Sequence, residues 1–200
     1  KIFNTSSLTF ENYILQRYYS WFQVEGDIIY ARTNSQGLET YKIDISDLNN
    51  IEETLYIENP TDGTAWTYNS LSVENGTIVY NVYNSGAFNS TNSRMVFKKE
   101  PGSDPEMIYE GSMCCYAPIL YNNKVYQIGE NEMYELVDGV YTNYRFHGGT
   151  ISDLNDIKLV DGKVYFTQNS SISYISLDEQ ITYDDQEGSI PYISSTFVFT

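Results

Sequence analysis

The sequence predicts an all-β fold assembled by repeating one four-stranded unit, and three observations predict it. Tyr is unusually frequent, 20 of 200 residues, with Phe 9 and Trp 2. Together with Ile, Val and Thr these residues suit pleated, half-buried surfaces, and no long segment spaces its apolar residues as a helix would. The stretch from Ile157 to Gln168, IKLVDGKVYFTQ, is an apolar run, a tight Asp161-Gly162 turn and a second alternating run. Asp-Gly between two such runs is the strongest short-range signal for a hairpin. The third observation is that this unit recurs along the chain.

With Gly162 as origin, counterparts fall at Gly26 (FQVEGDIIYA), Gly76 (LSVENGTIVYN), Asn123 (ILYNNKVYQ) and Ser195 (PYISSTFVF). Two residues after each origin stand Ile28, Ile78, Val125, Val164 and Phe197, all apolar. The turn at Glu74-Asn75-Gly76 reads as one residue longer than the others. Each unit then continues through a third run with a central aromatic: Tyr41-Lys42-Ile43, Val96-Phe97, Tyr134-Glu135-Leu136 and Tyr174-Ile175. A fourth run closes it: Thr54 to Ile57, Met107 to Tyr109, Val140 to Tyr144 and Ile181 to Tyr183.

Four short strands per unit is the signature of a β-propeller blade, here labelled A to D from the inside outward. The expected blades span about 19–57, 68–109, 116–144 and 156–183. At the start, Lys1 to Asn4 matches the tail of a strand C, and Asn12 to Leu15 reads as a strand D, giving a half-blade over 1–15. At the end, 190–200 reads as strands A and B. The two halves complete one blade, so a single domain over 1–200 of five blades closed by both termini is expected. Such closure removes the unpaired sheet edge. The alternative is a fragment of a six- to eight-bladed propeller. A β-sandwich ranks lower, because it does not predict the return of the same apolar columns.

Bulk properties bound the partners. The formal charge of −16 and pI near 4.2 oppose binding to nucleic acid or to an anionic membrane surface. No run of about 18 apolar residues is present, so no membrane-spanning helix is expected. There is neither a signal peptide nor an initiator Met, which reads as a mature product or an excised piece. Cys114 and Cys115 are adjacent and cannot staple distant parts of a fold; a vicinal disulfide and metal ligation with outside help stand beside the favoured reading as small apolar residues.

In a propeller the D-to-A and B-to-C connections gather at one end, here called upper, and the A-to-B and C-to-D connections at the other. The expected D-to-A loops are 59–68, 110–116, 145–155 and 184–192. They carry the candidate ligand-binding residues Trp66, Tyr68, Tyr116, His147 and Tyr192. Trp66 is placed in a Pro/Asp/Gly-rich loop and His147 in the longest D-to-A loop. Exposed Trp and Tyr suit stacking on a sugar ring or a peptide side chain. The competing readings are a blade-packing anchor for Trp66 and an ordinary surface residue for His147.

Catalytic and metal chemistries find little support. His147 is the single His, so a hydrolytic triad has one candidate base and no Gly-x-Ser-x-Gly elbow to serve. Zinc needs several His or Cys ligands. The acidic clusters Asp44, Ser46, Asp47, Asn49 and Asp153, Asn155, Asp156 lack the pattern of a calcium-binding EF-hand loop. Neither a metal nor a cofactor is expected. The expected A strands, SWFQV, SLSV, APIL, IKLV and PYIS, hold no internal Asp or Glu, which argues against glycoside hydrolysis in the channel.

The pieces Val160-Asp161-Gly162-Lys163-Val164-Tyr165-Phe166, Glu25-Gly26-Asp27-Ile28-Ile29-Tyr30 and Thr40-Tyr41-Lys42-Ile43 carry a family likeness. On them the chain resembles bacterial β-propeller domains of unknown function, similar to the low-density-lipoprotein-receptor-like propellers. The Tyr-Trp-Thr-Asp signature of the receptor propellers is absent from every blade, so receptor function does not carry over. The resemblance implies an extracellular or bacterial cell-surface interaction module. The expected function is non-catalytic recognition of a glycan, peptide or protein ligand at the upper end, by a monomer or a part of a larger chain. The alternatives are a carbohydrate-active enzyme with loop-borne carboxylates and a structural part of a larger surface protein.

Overall fold

A computed structural model describes residues 2–4, 9–11, 15, 17–33, 39–58, 66–84, 94–111, 118–128, 132–146, 151–168 and 171–178. These residues contain strands and turns and no helix. The fold is a β-propeller of antiparallel blades; among the described residues three run A, B, C, D in both sequence and space and a fourth runs A, B, C. The chain divides into two compact units, Lys1–Asp62 and Gly63–Thr200.

The first unit opens with β1 (Ile2–Asn4) paired to β2 (Thr9–Glu11), a register that sets Phe3 opposite Phe10. The second strand was expected over 12–15; it lies earlier, and Leu15 is outside it. Blade 1 follows: β3 (Tyr19–Glu25), β4 (Ile28–Thr33), β5 (Thr40–Asp44) and β6 (Glu52–Ile57). Ala31, Tyr41 and Ile43 form its buried cluster, with Ile29, Tyr19, Ile45 and Ile51 packed against it. On that same face of β3, Phe22 opposite Ala31 and Val24 opposite Ile29 are exposed.

The second unit holds three blades. Blade 2 is β7 (Trp66–Glu74), β8 (Thr77–Asn84), β9 (Arg94–Lys99) and β10 (Glu106–Gly111). Blade 3 is β11 (Pro118–Tyr121), β12 (Lys124–Ile128), β13 (Glu132–Val137) and β14 (Val140–Phe146). Blade 4 is β15 (Ile151–Val160), β16 (Lys163–Gln168) and β17 (Ser171–Ser176). The expected fourth strand, 181–183, and the closing half-blade, 190–200, lie outside the described residues.

Turn chemistry sets the A-to-B hairpins. Asn75-Gly76, Asn122-Asn123 and Asp161-Gly162 each place both central residues at positive φ, between 47° and 76°. That is the type I′ requirement, which Asn, Asp and Gly meet at low cost. Register shows two central residues in every case, so the Asn75-Gly76 turn is no longer than the others. Blade 1 differs: Glu25 faces Ile28, and Gly26 is the first central residue, at φ 58°, as a II′ turn requires. The equivalent of Gly162 is therefore Asp27, and the equivalent of Val164 is Ile29 rather than Ile28. Gly can serve either turn position, and an alignment on Gly slips by one.

Packing between blades explains the continuous apolar runs. Side chains alternate across a strand, and in blade 3 both faces are covered. Leu120 and Val125 face blade 2, where Val79 and Val96 meet them; Ile108, Tyr109, Leu136 and Tyr141 pack around this cluster. Ile119, Tyr126, Ile128 and Met133 face the other way, onto Val164, Phe166, Ile175 and Leu177 of blade 4. Each such fully buried aliphatic contributes about 1.5–3 kcal/mol, so these two seams dominate the cohesion of the unit.

Polar stitches add register. The Leu120 amide donates to buried Ser72 Oγ at 3.0 Å. The Glu74 carboxylate at the end of β7 accepts from the Asn122 and Asn123 amides at 2.7 and 2.9 Å. Lys98 Nζ donates to Asn123 Oδ1 at 2.9 Å. Between blades 3 and 4 the Tyr121 hydroxyl donates to Asp178 Oδ1 at 2.7 Å. Gly162 lies under that pair: a Cβ there would sit 2.6 Å from the Tyr121 hydroxyl.

Candidate functional site

The upper end of each blade is where strands A and C begin and B and D finish. Most of the irregular pairing falls in this half or at mid-strand. Strand D carries an extra residue in three blades: the register steps past Tyr56, past Ile108 and past Tyr144. Strand A steps past Ser20 in blade 1, past Asn69-Ser70 opposite Asn81 in blade 2, and past Leu154–Ile157 opposite Phe166 in blade 4. Bulges bend the strand, increase twist and re-aim side chains, and they cluster near binding sites.

Trp66 and Tyr68 are strand residues, not loop residues as expected. They begin β7, opposite Asn84 and Val82, just ahead of its bulge. The polar sequence Thr67-Tyr68-Asn69-Ser70 lacks alternation and conceals this strand. Tyr116, His147, Tyr192, Cys114 and Cys115 lie outside the described residues. The connection holding His147 is short: β14 runs to Phe146 and β15 begins at Ile151, so only 147–150 join them. The expectation of a long 145–155 loop is thereby corrected.

The longer strands also revise the reading of the A strands. As built, β3 ends in Glu25, β7 ends in Glu74, and β15 contains Asp153 and Asp156. Glu74 is engaged by the two turn amides. Strands of type A therefore do carry carboxylates, and the argument against channel chemistry from their absence does not hold for β15.

In the first unit a polar network was missed. Glu53 on β6 has a side chain only 3% exposed and accepts a hydrogen bond from the Tyr19 hydroxyl at 2.5 Å. Arg17 Nη1 stands 3.9 Å from Glu53 Oε2, and the Arg17 guanidinium lies 4.3 Å from the centre of the Tyr41 ring. Tyr41 in turn donates to Glu39 Oε2 at 3.2 Å. Burial first, and then Glu53, pushes the Tyr19 phenol well above its usual range; burial and then Glu39 raise that of Tyr41. Arg17 thus bridges a buried carboxylate and an aromatic face immediately before β3. Between Arg17 and Tyr19 stands Tyr18, 77% exposed, an aromatic displayed at the upper entry to blade 1. The Arg-Tyr-Tyr sequence was the available signal.

The acidic cluster at the C-to-D connection of blade 1 has a local explanation. Asp44 Oδ1 accepts from the Ser46 amide and Asp47 Oδ1 from the Asn49 amide, both at 2.9 Å. The bonds from Ser46 hold the Asp44 carboxyl below its ordinary value. These are Asx turns, in which the carboxylate serves its own loop. Among the described residues no group of three or more His, Cys, Asp or Glu is placed to hold a metal ion, and no helix is long and apolar enough to cross a membrane.

Compared with known proteins, the chain matches no family model and no curated sequence. The propeller assignment accordingly rests on the blades themselves.

Proposed function

We propose that the chain is a non-catalytic recognition propeller, displayed outside the cell or on a bacterial surface, that takes a glycan, peptide or protein ligand at its upper end. One observation carries this reading: in the second unit the A-to-B turns of the lower end are short and tied to the neighbouring blade, whereas two of the upper connections are long. At the lower end every A-to-B connection is a two-residue turn, and Glu74, Lys98, Tyr121 and Asp178 tie those turns or their flanks to the adjacent blade. At the upper end the connections over 85–93 and 112–117 are longer. Of the aromatic candidates, Trp66 and Tyr68 begin β7 at this end, and Tyr116 and His147 fall in the sequence between strands D and A, while Tyr192 is a candidate from the sequence alone. Ligand sites concentrate on loops held by a rigid scaffold, and rigid aromatics are effective anchors. The resemblance to surface propellers supports the extracellular setting.

The test is a glycan and cell-wall-fragment binding array with the full chain, alongside Trp66→Ala, Tyr68→Ala and Tyr116→Ala. Binding weakened at least about tenfold in one variant, corresponding to about 1.4 kcal/mol, supports the reading. Binding unaffected in all three removes the site.

Asp153 and Asp156 within β15 favour a second reading, a carbohydrate-active enzyme. Hydrolysis needs a proton donor and a second carboxylate across the scissile bond. Reducing-sugar release from the polysaccharides scored on the array, abolished in Asp153→Asn or Asp156→Asn, would establish it; no release by the unaltered chain would exclude it for those substrates.

A further inference from the structure

We infer that the outer face of blade 4 is a second binding surface, and that it takes a short acidic saccharide, a chain of uronic acid rings. The face is defined by pairing. Lys158, Tyr165 and Tyr174 are cross-strand neighbours, as are Val160 and Lys163. Directly opposed residues share a face, and this one is the reverse of the face that Val164, Phe166 and Ile175 bury against blade 3. Its two Tyr rings have centres 5.5 Å apart, and Lys163 Nζ stands 4.8 Å from the Tyr174 centre. Lys158 is exposed, and so are the aliphatics Val160 (52%) and Ile172 (40%).

The residue on the inner strand distinguishes this face from its counterparts. Counted from the A-to-B turn, Lys158 holds the place of Ser72 in blade 2 and of Ile119 in blade 3. Those two are buried, each against the blade that follows: Ser72 Oγ accepts the Leu120 amide, and Ile119 packs on blade 4. A lysine is almost never fully buried without a partner, and at this place in blade 4 it stands in solvent. The surface therefore suits an aqueous contact and not another sealed seam.

Charge and shape select the ligand. The chain carries 27 Asp and Glu against 11 Lys and Arg, yet the described side chains of this face include two lysines and no carboxylate. Asp161 lies in the adjoining turn, and Asp178 accepts from the Tyr121 hydroxyl of blade 3. Tyr presents an apolar ring with a polar tip, so Tyr165 and Tyr174, with Val160 and Ile172 on the same face, suit the flat C–H face of a sugar ring. The two ammonium groups supply charge-assisted bonds to carboxylates. The other acids of the chain repel a long polyanion, but at 0.1 M salt that repulsion is screened beyond about 10 Å; a short oligomer is the occupant that fits. This surface is separate from the upper end and stands whether or not a ligand binds there.

Calorimetric titration of the full chain with short oligomers of galacturonate, glucuronate and mannuronate tests this. Binding of at least one is expected. Methyl esterification of its carboxylates, or Val160→Asp, is expected to weaken it at least about tenfold, and Lys158→Gln at least about fivefold. Trp66→Ala, at the upper end, is expected to leave it unchanged. Absence of binding to every uronate overturns the inference, and is the result if a second copy or the chain's own remainder covers the face. Equal affinity for the methyl ester overturns it, as does affinity unchanged in both Val160→Asp and Lys158→Gln. A glutamate peptide of the same charge bound as tightly overturns it too, since that makes the face a protein contact. Loss in Trp66→Ala with none in Val160→Asp assigns the saccharide to the upper end and likewise overturns it. If Val160→Asp melts early, Lys158→Glu supplies the same reversal of charge.

Discussion

Glu74 offers the most direct test of how the blades are held together. Its carboxylate ends β7 and accepts two backbone amides from the Asn122-Asn123 turn of blade 3, at 2.7 and 2.9 Å. Both turn residues are at positive φ, 49° and 59°, which brings their amides together as a small anion-binding concavity. A hydrogen bond to a charged group is worth about 1.5–3 kcal/mol when shielded. Solvent reaches this edge, so we take about 1 kcal/mol for each bond and about 2 kcal/mol for the pair. For a chain of 200 residues this corresponds to a fall in melting temperature of about 4–8 °C for Glu74→Ala. Glu74→Gln keeps an acceptor oxygen but loses the charge, and about half the fall is expected. Calorimetry gives the melting temperatures, and amide exchange at Asn122 and Asn123, followed by NMR, locates the loss. A Glu74→Ala protein melting within about 1 °C of the unaltered chain would refute the reasoning, because surface changes without a role stay within about 0.5 kcal/mol.

Three further outcomes are expected. Gly162→Ala sets a side chain at φ +69° and places its Cβ against Tyr121 and Asp178, so a loss of about 2–4 kcal/mol in denaturant unfolding is expected; an unchanged midpoint would contradict the packing described. The Tyr141 hydroxyl is buried with no hydrogen-bond partner, so Tyr141→Phe is expected to hold or raise stability by up to about 1 kcal/mol, and a loss beyond that in the same assay would point to a bond that the geometry lacks. Burial raises the phenols of Tyr19 and Tyr141 strongly and that of Tyr30 to about 12; since the unfolded value is about 10, their contribution is intact below pH about 10 and is lost as pH rises towards and beyond the folded values. Phenolate absorbance should therefore show a late-titrating class in the folded protein that disappears in denaturant, and one class near the ordinary value would rule this out.

Much of the scaffold was legible because its two physical causes are local. Blade 3 buries both faces, so Ile119-Leu120 and Val125-Tyr126 read as unbroken apolar pairs, and the turns between them need Asn, Asp or Gly for backbone reasons alone. Errors arose where one residue type satisfies two geometries. Gly26 opens its turn whereas Gly76 and Gly162 close theirs, and the sequence does not distinguish them. The upper halves of β7 and β15 were hidden by bulges at Asn69-Ser70 and Leu154–Ile157, which interrupt the period of two. The side-chain stitches were illegible in principle: Ser72 to Leu120, Glu74 to Asn122 and Tyr121 to Asp178 join residues 48 to 57 positions apart, and nothing local marks a Glu as a partner for a distant turn. The network of Arg17, Tyr19 and Glu53 is illegible for the same reason. For the candidate site, composition pointed to an upper end rich in Trp and Tyr and placed Trp66 and Tyr68 near its edge, but it mistook strand for loop.

The hairpin turns that make the repeat readable are also the part of the molecule least suited to recognition. A group already committed to a hydrogen bond offers a ligand little, because the ligand must first replace that bond. In the second unit the Asn122 and Asn123 amides are held by Glu74, the Asn123 side chain by Lys98, the Tyr121 hydroxyl by Asp178, and the Gly162 carbonyl by the Leu177 amide at 2.7 Å. The lower turns also lack aromatic side chains other than the committed Tyr121. At the upper end the constraint is reversed. Bulges recur there in strands A and D, and a bulge leaves a residue outside the ladder with its backbone groups available. Repetition therefore identifies the scaffold, and recognition is to be sought where the repetition fails: in the residues around the bulges of β7 and β15 and in the connections that enter them.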